Sequence, residues 1–181
     1  MDFLEARDQG LWNGIQSIRR PWLDAVAVAI SGLGHPLVLT VLVVALLAYL
    51  CRQRRHRTGA LVALTFAGGI GLLIVLRTLI DRERPQVYRN PLEEPALTPS
   101  FPSERAFLAT IVYLTIALVL GSRWPRWRRT LFLIGVGLAG AIGLTRLYIG
   151  VCFPTDVLAG WFGGLAWVLI CRWAGERWVE H

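Results

Sequence analysis

The chain contains no lysine, so all 19 of its basic residues are arginines. A guanidinium stays charged and neither gives up nor takes a proton readily, which suits these residues to binding and anchoring and not to acid–base catalysis. Charge of either sign is scarce: 17% of residues are charged against 55% hydrophobic, and the mean hydropathy is +0.52. Such a chain lacks the polar shell of a water-soluble domain, and the bilayer is its expected solvent. Cysteine is too sparse for a framework. Cys51, Cys152 and Cys171 show no paired spacing and no neighbouring histidine, which excludes a disulfide scaffold and a zinc site. The N-terminus carries early acids and no continuous apolar core, so it does not read as a cleavable signal peptide, and the first span is expected to serve as its own insertion signal.

Long apolar runs are what the chain does have. Residues 1–21 place Phe3, Leu4, Leu11, Trp12, Ile15 and Ile18 among charges at roughly helical spacing, the pattern of an interfacial amphipathic helix. From Trp22 an apolar stretch runs to Leu50, interrupted by Gly32, Gly34 and Pro36, which predicts a short helix, a bend and a longer helix. Further runs at 58–80, 106–121, 130–147 and 154–171 each approach the length needed to cross the hydrocarbon layer. The expected fold is therefore an all-α polytopic transmembrane bundle of five spans, or six if the segment from Trp22 crosses twice. It forms one membrane domain over 1–181, with the bundle itself over 22–174. Glycines at 68, 69 and 71, at 135, 137, 140 and 143, and at 160, 163 and 164 are expected to let helix backbones approach.

A net charge of +7 raises nucleic acid as a partner, but the arginines sit in short segments between apolar runs, where they orient a membrane protein instead. The acid-free stretches RQRRHR at 52–57 and RWPRWRR at 123–129, with Arg172 and Arg177 in the tail, are expected on the cytoplasmic side. Alternating crossings then bring the loop at 81–104, with Asp81, Glu83, Glu93 and Glu94, and the turn at 148–154 to the opposite face. Trp124, Trp127, Trp173 and Trp178 read as an interfacial aromatic belt, and Tyr148 as a site-lining or a packing residue.

On that opposite face three segments each bring arginine to a span end: Arg77 and Arg84, then Arg105, then Arg146. A single such arginine is as well explained by snorkelling, but four together repel one another and call for an anion. Phosphate suits several guanidinium forks, each able to give two charge-assisted hydrogen bonds. Ser103 adds a hydroxyl and a possible cap for a helix starting near Glu104, whose amides would favour an anion.

In these segments the chain resembles the type 2 phosphatidic acid phosphatases, or lipid phosphate phosphatases. The motif resemblance runs over 77–160. The family's first motif, lysine, about six residues, then Arg-Pro, is similar to Arg77, TLIDRE, Arg84 and Pro85; its second, Pro-Ser-Gly-His, to Pro102, Ser103, Glu104 and Arg105. Its third, Ser-Arg, five residues, His, three residues, Asp, is similar to Thr145, Arg146, LYIGV, Cys152, FPT and Asp156. The resemblance implies a nucleophilic histidine where Cys152 stands, oriented by an aspartate where Asp156 stands, and an acid histidine where Arg105 stands. The three histidines present, His35, His56 and His181, lie outside these motifs.

The phosphate-holding positions are thus kept and the cleaving ones replaced. The leading expectation is a protein that binds a phosphate-bearing lipid, phosphatidate-like or a polyprenyl phosphate, through Arg77, Arg84, Ser103, Arg105 and Arg146. In this reading Arg105 binds the phosphate or pairs with Asp156 or Glu104. A second reading makes Cys152 a thiolate nucleophile with Glu104 as acid, although Asp156 would oppose the thiolate and a thiol exposed on the outer face would oxidise. A third makes the chain a structural membrane subunit whose arginines meet an acidic partner. The resemblance implies neither metal nor other cofactor, and the expected location is the bacterial inner membrane with the site facing the periplasm or exterior.

Overall fold

The structure is a computed structural model and describes residues 2–85 and 99–179, with side chains described over 7–85 and 99–175. Glu93, Glu94 and His181 lie outside the described residues, as do the side chains of Phe3, Leu4, Arg177 and Trp178. The helices run α1 (Asp2–Ser17), α2 (Pro21–Gly32), α3 (Pro36–Arg52), α4 (His56–Ile80), α5 (Glu104–Arg123), α6 (Arg128–Ile149) and α7 (Pro154–Val179), with a 3-10 turn over Pro125–Trp127. Proline opens α2, α3 and α7, where the missing N–H would have had no partner in any case. At α3 the His35 Nδ1 accepts from the Leu37 N–H at 3.2 Å, closing one of the orphan donors.

Helices α4, α5 and α7, and α6 with its preceding turn, are each long and apolar enough to cross a membrane, and α2 with α3, bent by 40°, is together long and apolar enough for a fifth, broken span or a re-entrant loop. The bend falls where Gly32, Gly34 and Pro36 interrupt the run. With only 12 residues, α2 rises about 18 Å, well short of the ~30 Å hydrocarbon layer, so the six-crossing alternative is not the one adopted. The chain is an all-α, multi-span integral membrane bundle. Large apolar residues such as Leu37, Leu64, Leu79, Leu133 and Phe162 face outward, as lipid-facing positions do.

Helix α5 is the axis of the bundle. Every residue from 106 to 112 is buried, so the helix is enclosed on all sides near its N-terminal end. Lipid is as apolar as leucine, so close backbone approach holds such helices together more than burial from water does. At Gly160 a Cβ would stand 3.0 Å from both the Ser103 carbonyl oxygen and the Ala106 Cβ, so this glycine sets how near α7 comes to the start of α5. Gly143 accepts the Trp161 indole in the same way, whereas Gly71, Gly137 and Gly140 face open space and do not have the packing role expected of them.

Helix α1 docks on the bundle through α6 and α7. Trp12 is buried and its Nε1 donates to the Gly150 carbonyl at 3.3 Å. The Gln16 amide donates to the carbonyls of Leu147 at 3.0 Å and Tyr148 at 3.3 Å, satisfying the C-terminal end of α6. The Tyr148 hydroxyl accepts from the Arg20 N–H at 2.9 Å, so this tyrosine ties down the α1–α2 connection. Leu11, on the same helix, and Ile18, just beyond its end, remain exposed.

Candidate functional site: an arginine cluster at one end of the bundle

The end of α6 dictates how the site is assembled. Gly150 takes φ +88, a left-handed conformation open to glycine, and the N–H groups of Gly150 and Val151 both donate to the Arg146 carbonyl at 3.2 Å. The chain reverses through Val151, Cys152 and Phe153 into α7. Arg146 in the last turn of α6 and Asp156 in the first turn of α7 are thereby brought to the same end of the bundle. The Ser103 N–H donates to the Asp156 carbonyl oxygen at 3.0 Å, which fixes the start of α5 against the start of α7.

Ser103 stands at the N-cap of α5, as expected, but its side chain makes no cap hydrogen bond. Its buried hydroxyl instead accepts from the Cys152 Sγ at 3.6 Å. Cys152 is 2% exposed, so the expectation of a thiol open to oxidation on the outer face is overturned: the reversal after Gly150 turns it inward.

Three arginine positions converge through neutral oxygens. Arg105 Nη1 donates to the Ser31 Oγ at 2.7 Å, and Arg146 Nη1 donates to the same oxygen at 3.1 Å. Arg146 is buried. Arg84 Nη1 donates to the Val151 carbonyl at 3.3 Å. Burial pushes the Arg84 guanidinium below the usual arginine range; Cys152 and Glu104 pull it back up, while Arg146 and Arg77 push it further down. Arg84 thus lies within electrostatic reach of Cys152, Arg146, Arg77 and Glu104. Arg77 Nη1 donates to Glu104 Oε2 at 2.7 Å, while its Nε and Nη2 are buried and have no hydrogen-bond partner among the described residues.

Asp156 faces elsewhere. Its Oδ1 accepts from Arg82 Nη1 at 2.8 Å and its Oδ2 accepts from the Phe153 N–H at 2.9 Å, the reach-back of a helix-start carboxylate. Arg82 also donates through Nη2 to Asp8 Oδ2 at 2.8 Å and through Nη1 to the Thr155 hydroxyl at 2.7 Å, and its guanidinium lies 4.4 Å from the Phe153 ring centroid. The Thr155 hydroxyl in turn donates to the Asp8 carboxylate. Burial works against the charge on Arg82, but the hydrogen bonds and charges of Asp8 and Asp156 outweigh it and raise its pKa above the ordinary arginine value. The expected pairing of Arg105 with Asp156 or Glu104 is therefore replaced by Arg82–Asp156 and Arg77–Glu104, with Arg105 on Ser31.

All eight residues singled out from sequence, Arg77, Arg84, Ser103, Glu104, Arg105, Arg146, Cys152 and Asp156, lie at this one end of the bundle. Sequence reasoning missed Ser31, Arg82 and Asp8. Ser31 gave only the signal of a polar residue beside the Gly32 break, and nothing local in the sequence distinguishes Arg82 or Asp8 from other charged residues.

A multi-span helical bundle that gathers Arg77, Arg84, Arg105 and Arg146 at one end of its spans is an integral membrane protein with a polybasic cluster at that end. The PAP2 superfamily model matches residues 60–180, and the chain belongs to that superfamily. It is 30% identical over 177 residues to phosphatidylglycerophosphatase B of Bacillus subtilis, covering 96% of this chain and 86% of that protein. It is 29% identical over 149 residues to undecaprenyl-diphosphatase of Sulfolobus acidocaldarius, covering 81% and 67%. The crystal structure of the PAP2-type phosphatidylglycerolphosphate phosphatase from Bacillus subtilis matches with a TM-score of 0.89 at 30% identity, over 98% of this chain and 88% of that one. That of Aquifex aeolicus LpxE matches with a TM-score of 0.69 at 27% identity, over 91% and 93%.

Proposed function

We propose that this protein binds the phosphate of a lipid headgroup with Arg77, Arg84, Ser103, Arg105 and Arg146 and does not cleave it by histidine chemistry. The observation that carries the reading is the buried Arg77 guanidinium, which leaves two nitrogens without hydrogen-bond partners among the described residues, at the end of the bundle where Arg84 also feels the charges of Arg77 and Arg146. Buried donors without acceptors cost about 1–3 kcal/mol each, and a phosphate oxygen removes that cost. The names of the two curated relatives, phosphatidylglycerophosphatase and undecaprenyl-diphosphatase, both denote phosphate-bearing lipids, which supports the ligand class.

The loss of hydrolysis follows from residue type and from pairing. A guanidinium at position 105 has no proton to give a leaving oxygen near neutral pH. Asp156, the residue matching the family's orienting aspartate, is held by Arg82 and by its own helix start. Glu104, the remaining candidate acid, is ion-paired to Arg77. A Cys152 thiolate would meet neither the orienting carboxylate nor a free acid.

The bundle over 22–174 acts as one unit, with residues 1–21 at the membrane interface, in a bacterial plasma membrane with the site facing outward. The arginine-rich turns at 52–57 and 123–129, at the far end of the spans, support that orientation.

The test is phosphate release from a panel of lipid phosphates, run beside mass spectrometry of the lipid retained by the purified protein. No release, with lipid phosphate retained by the native chain and lost in Arg146→Ala, is the expected result. Release that disappears in Cys152→Ser would replace this reading with a cysteine phosphatase. Arginine variants that leave lipid content unchanged but break up a complex would replace it with a structural subunit.

A further inference from the structure

At the opposite end of the bundle from the arginine cluster, a cavity of about 540 Å³ opens between α4, the C-terminal part of α5, the start of α6 and the end of α7. That volume lies within the range of pockets that enclose small ligands. Its walls are apolar, formed among others by Leu61, Leu118 and Val168, while Arg55, Arg128 and Arg172 come to it from three different segments. Arg55 also borders an adjoining cavity of about 320 Å³ that Arg123 lines as well, so the basic rim is continuous across two hollows. Within the apolar throat, the Thr115 hydroxyl oxygen is buried without a hydrogen-bond partner among the described residues. Trp124 and Trp127, both largely exposed, stand in the turn that leads into Arg128, the level at which indoles mark the headgroup layer of a bilayer.

We infer that this cavity is a second, non-catalytic lipid site, which takes an anionic phospholipid of the surrounding bilayer with its phosphate on Arg55, Arg128 and Arg172 and an acyl chain in the apolar throat. The ligand class follows from the combination of walls and rim. Guanidinium forks from separate helices match the oxygens of a phosphate, and basic pockets between transmembrane helices recognise anionic headgroups. A free phosphate ion would leave the apolar throat unfilled, and a zwitterionic lipid would bring a cation among the arginines. No residue is shared with the cluster at the other end, so the inference stands apart from the proposed function.

The experiment is native mass spectrometry of the full chain, purified in detergent and titrated with phosphatidylglycerol, phosphatidylcholine or inorganic phosphate. The combined Arg55→Gln, Arg128→Gln and Arg172→Gln variant should lose one retained phosphatidylglycerol, with roughly hundredfold weaker binding. Arg146→Ala should keep that lipid, which separates the two ends. Thr115→Phe, which leaves every arginine in place and fills the throat, should lower retention by itself; circular dichroism reports whether each variant is folded. Unchanged phosphatidylglycerol retention in either folded variant overturns the inference. So does phosphatidylcholine held as tightly as phosphatidylglycerol, or inorganic phosphate that displaces the lipid at equal concentration.

Discussion

Arg146 is the residue on which the proposed site most depends, because it is buried, sits in the last turn of α6 and shares the Ser31 hydroxyl with Arg105. Hydrogen bonds to charged groups contribute about 1.5–3 kcal/mol, so Arg146→Ala should weaken retention of a lipid phosphate by roughly ten- to a hundredfold, read by titration of the purified protein. Cys152→Ser should leave that retention unchanged, since the cysteine touches Ser103 through a long contact and a serine hydroxyl can make the same one. The pH dependence has a definite sign. Burial lowers the Arg84 pKa from the arginine value, so any loss of its charge comes as pH rises through that lowered value, on the alkaline side. On the acid side the ligand titrates instead: a phosphate monoester has a second pKa of about 6. Retention of a lipid phosphomonoester should therefore fall as pH drops through that region, while a phosphodiester lipid is held evenly. A fall for both classes alike would show that a protein group is titrating.

At the scale of elements, α1 is held by a buried ionic network and not by apolar contact alone. Asp8, on α1, and Asp156, on α7, share Arg82 from the segment after α4, so one guanidinium joins three parts of the chain. Removing one member of a buried network leaves the others uncompensated, at a cost of about 3–5 kcal/mol. Asp8→Ala should approach that range, lowering the thermal midpoint and exposing α1 to limited proteolysis, while Asp8→Asn, which can still accept a hydrogen bond, should lose less. The spans were legible in the sequence because hydropathy is a local signal, and the break at Gly32, Gly34 and Pro36 fell where the two helices bend. The convergence of Arg77, Arg84, Arg105 and Arg146 was legible too, since each lies next to a span end and alternating crossings dictate the face. Docking of α1 was not. Trp12 and Gly150 are separated by 138 positions and Asp8 and Thr155 by 147, and no periodicity within sixteen residues encodes such a partner. The same limit hid Ser31, whose hydroxyl gains meaning only when α5 and α6 each bring an arginine to it.

On the scale of the whole molecule, charge is divided between the two ends of the bundle. Arg52, Arg54, Arg55 and Arg57 sit at one end with Arg123, Arg126, Arg128 and Arg129, where the sequence places no acid beside them. At the other end Asp8, Glu104 and Asp156 partner arginines. With Cys51 changed to serine to remove the exposed native thiol, a cysteine introduced at Gln53 should be shielded from a membrane-impermeant thiol reagent added to intact cells. One introduced at Asp81 should react. The reverse pattern would invert the proposed orientation and place the arginine site on the cytoplasmic side.

The α1 contacts also impose an order on biosynthesis. Helix α1 leaves the ribosome well before α6 and α7 and takes partners from Gly150 and Thr155, 138 and 147 positions further on. At 5–20 residues per second, translation takes on the order of ten seconds to supply them. Through that interval Trp12 and Gln16 lack the partners they hold in the folded chain and Asp8 has Arg82 alone, 74 positions on, and the amphipathic face of α1 gives the nascent helix a resting place on the membrane surface until α7 is inserted. Helix α1 is thus made early and secured late, and a chain released before the end of α6 is translated lacks the carbonyl partners of Trp12 and Gln16.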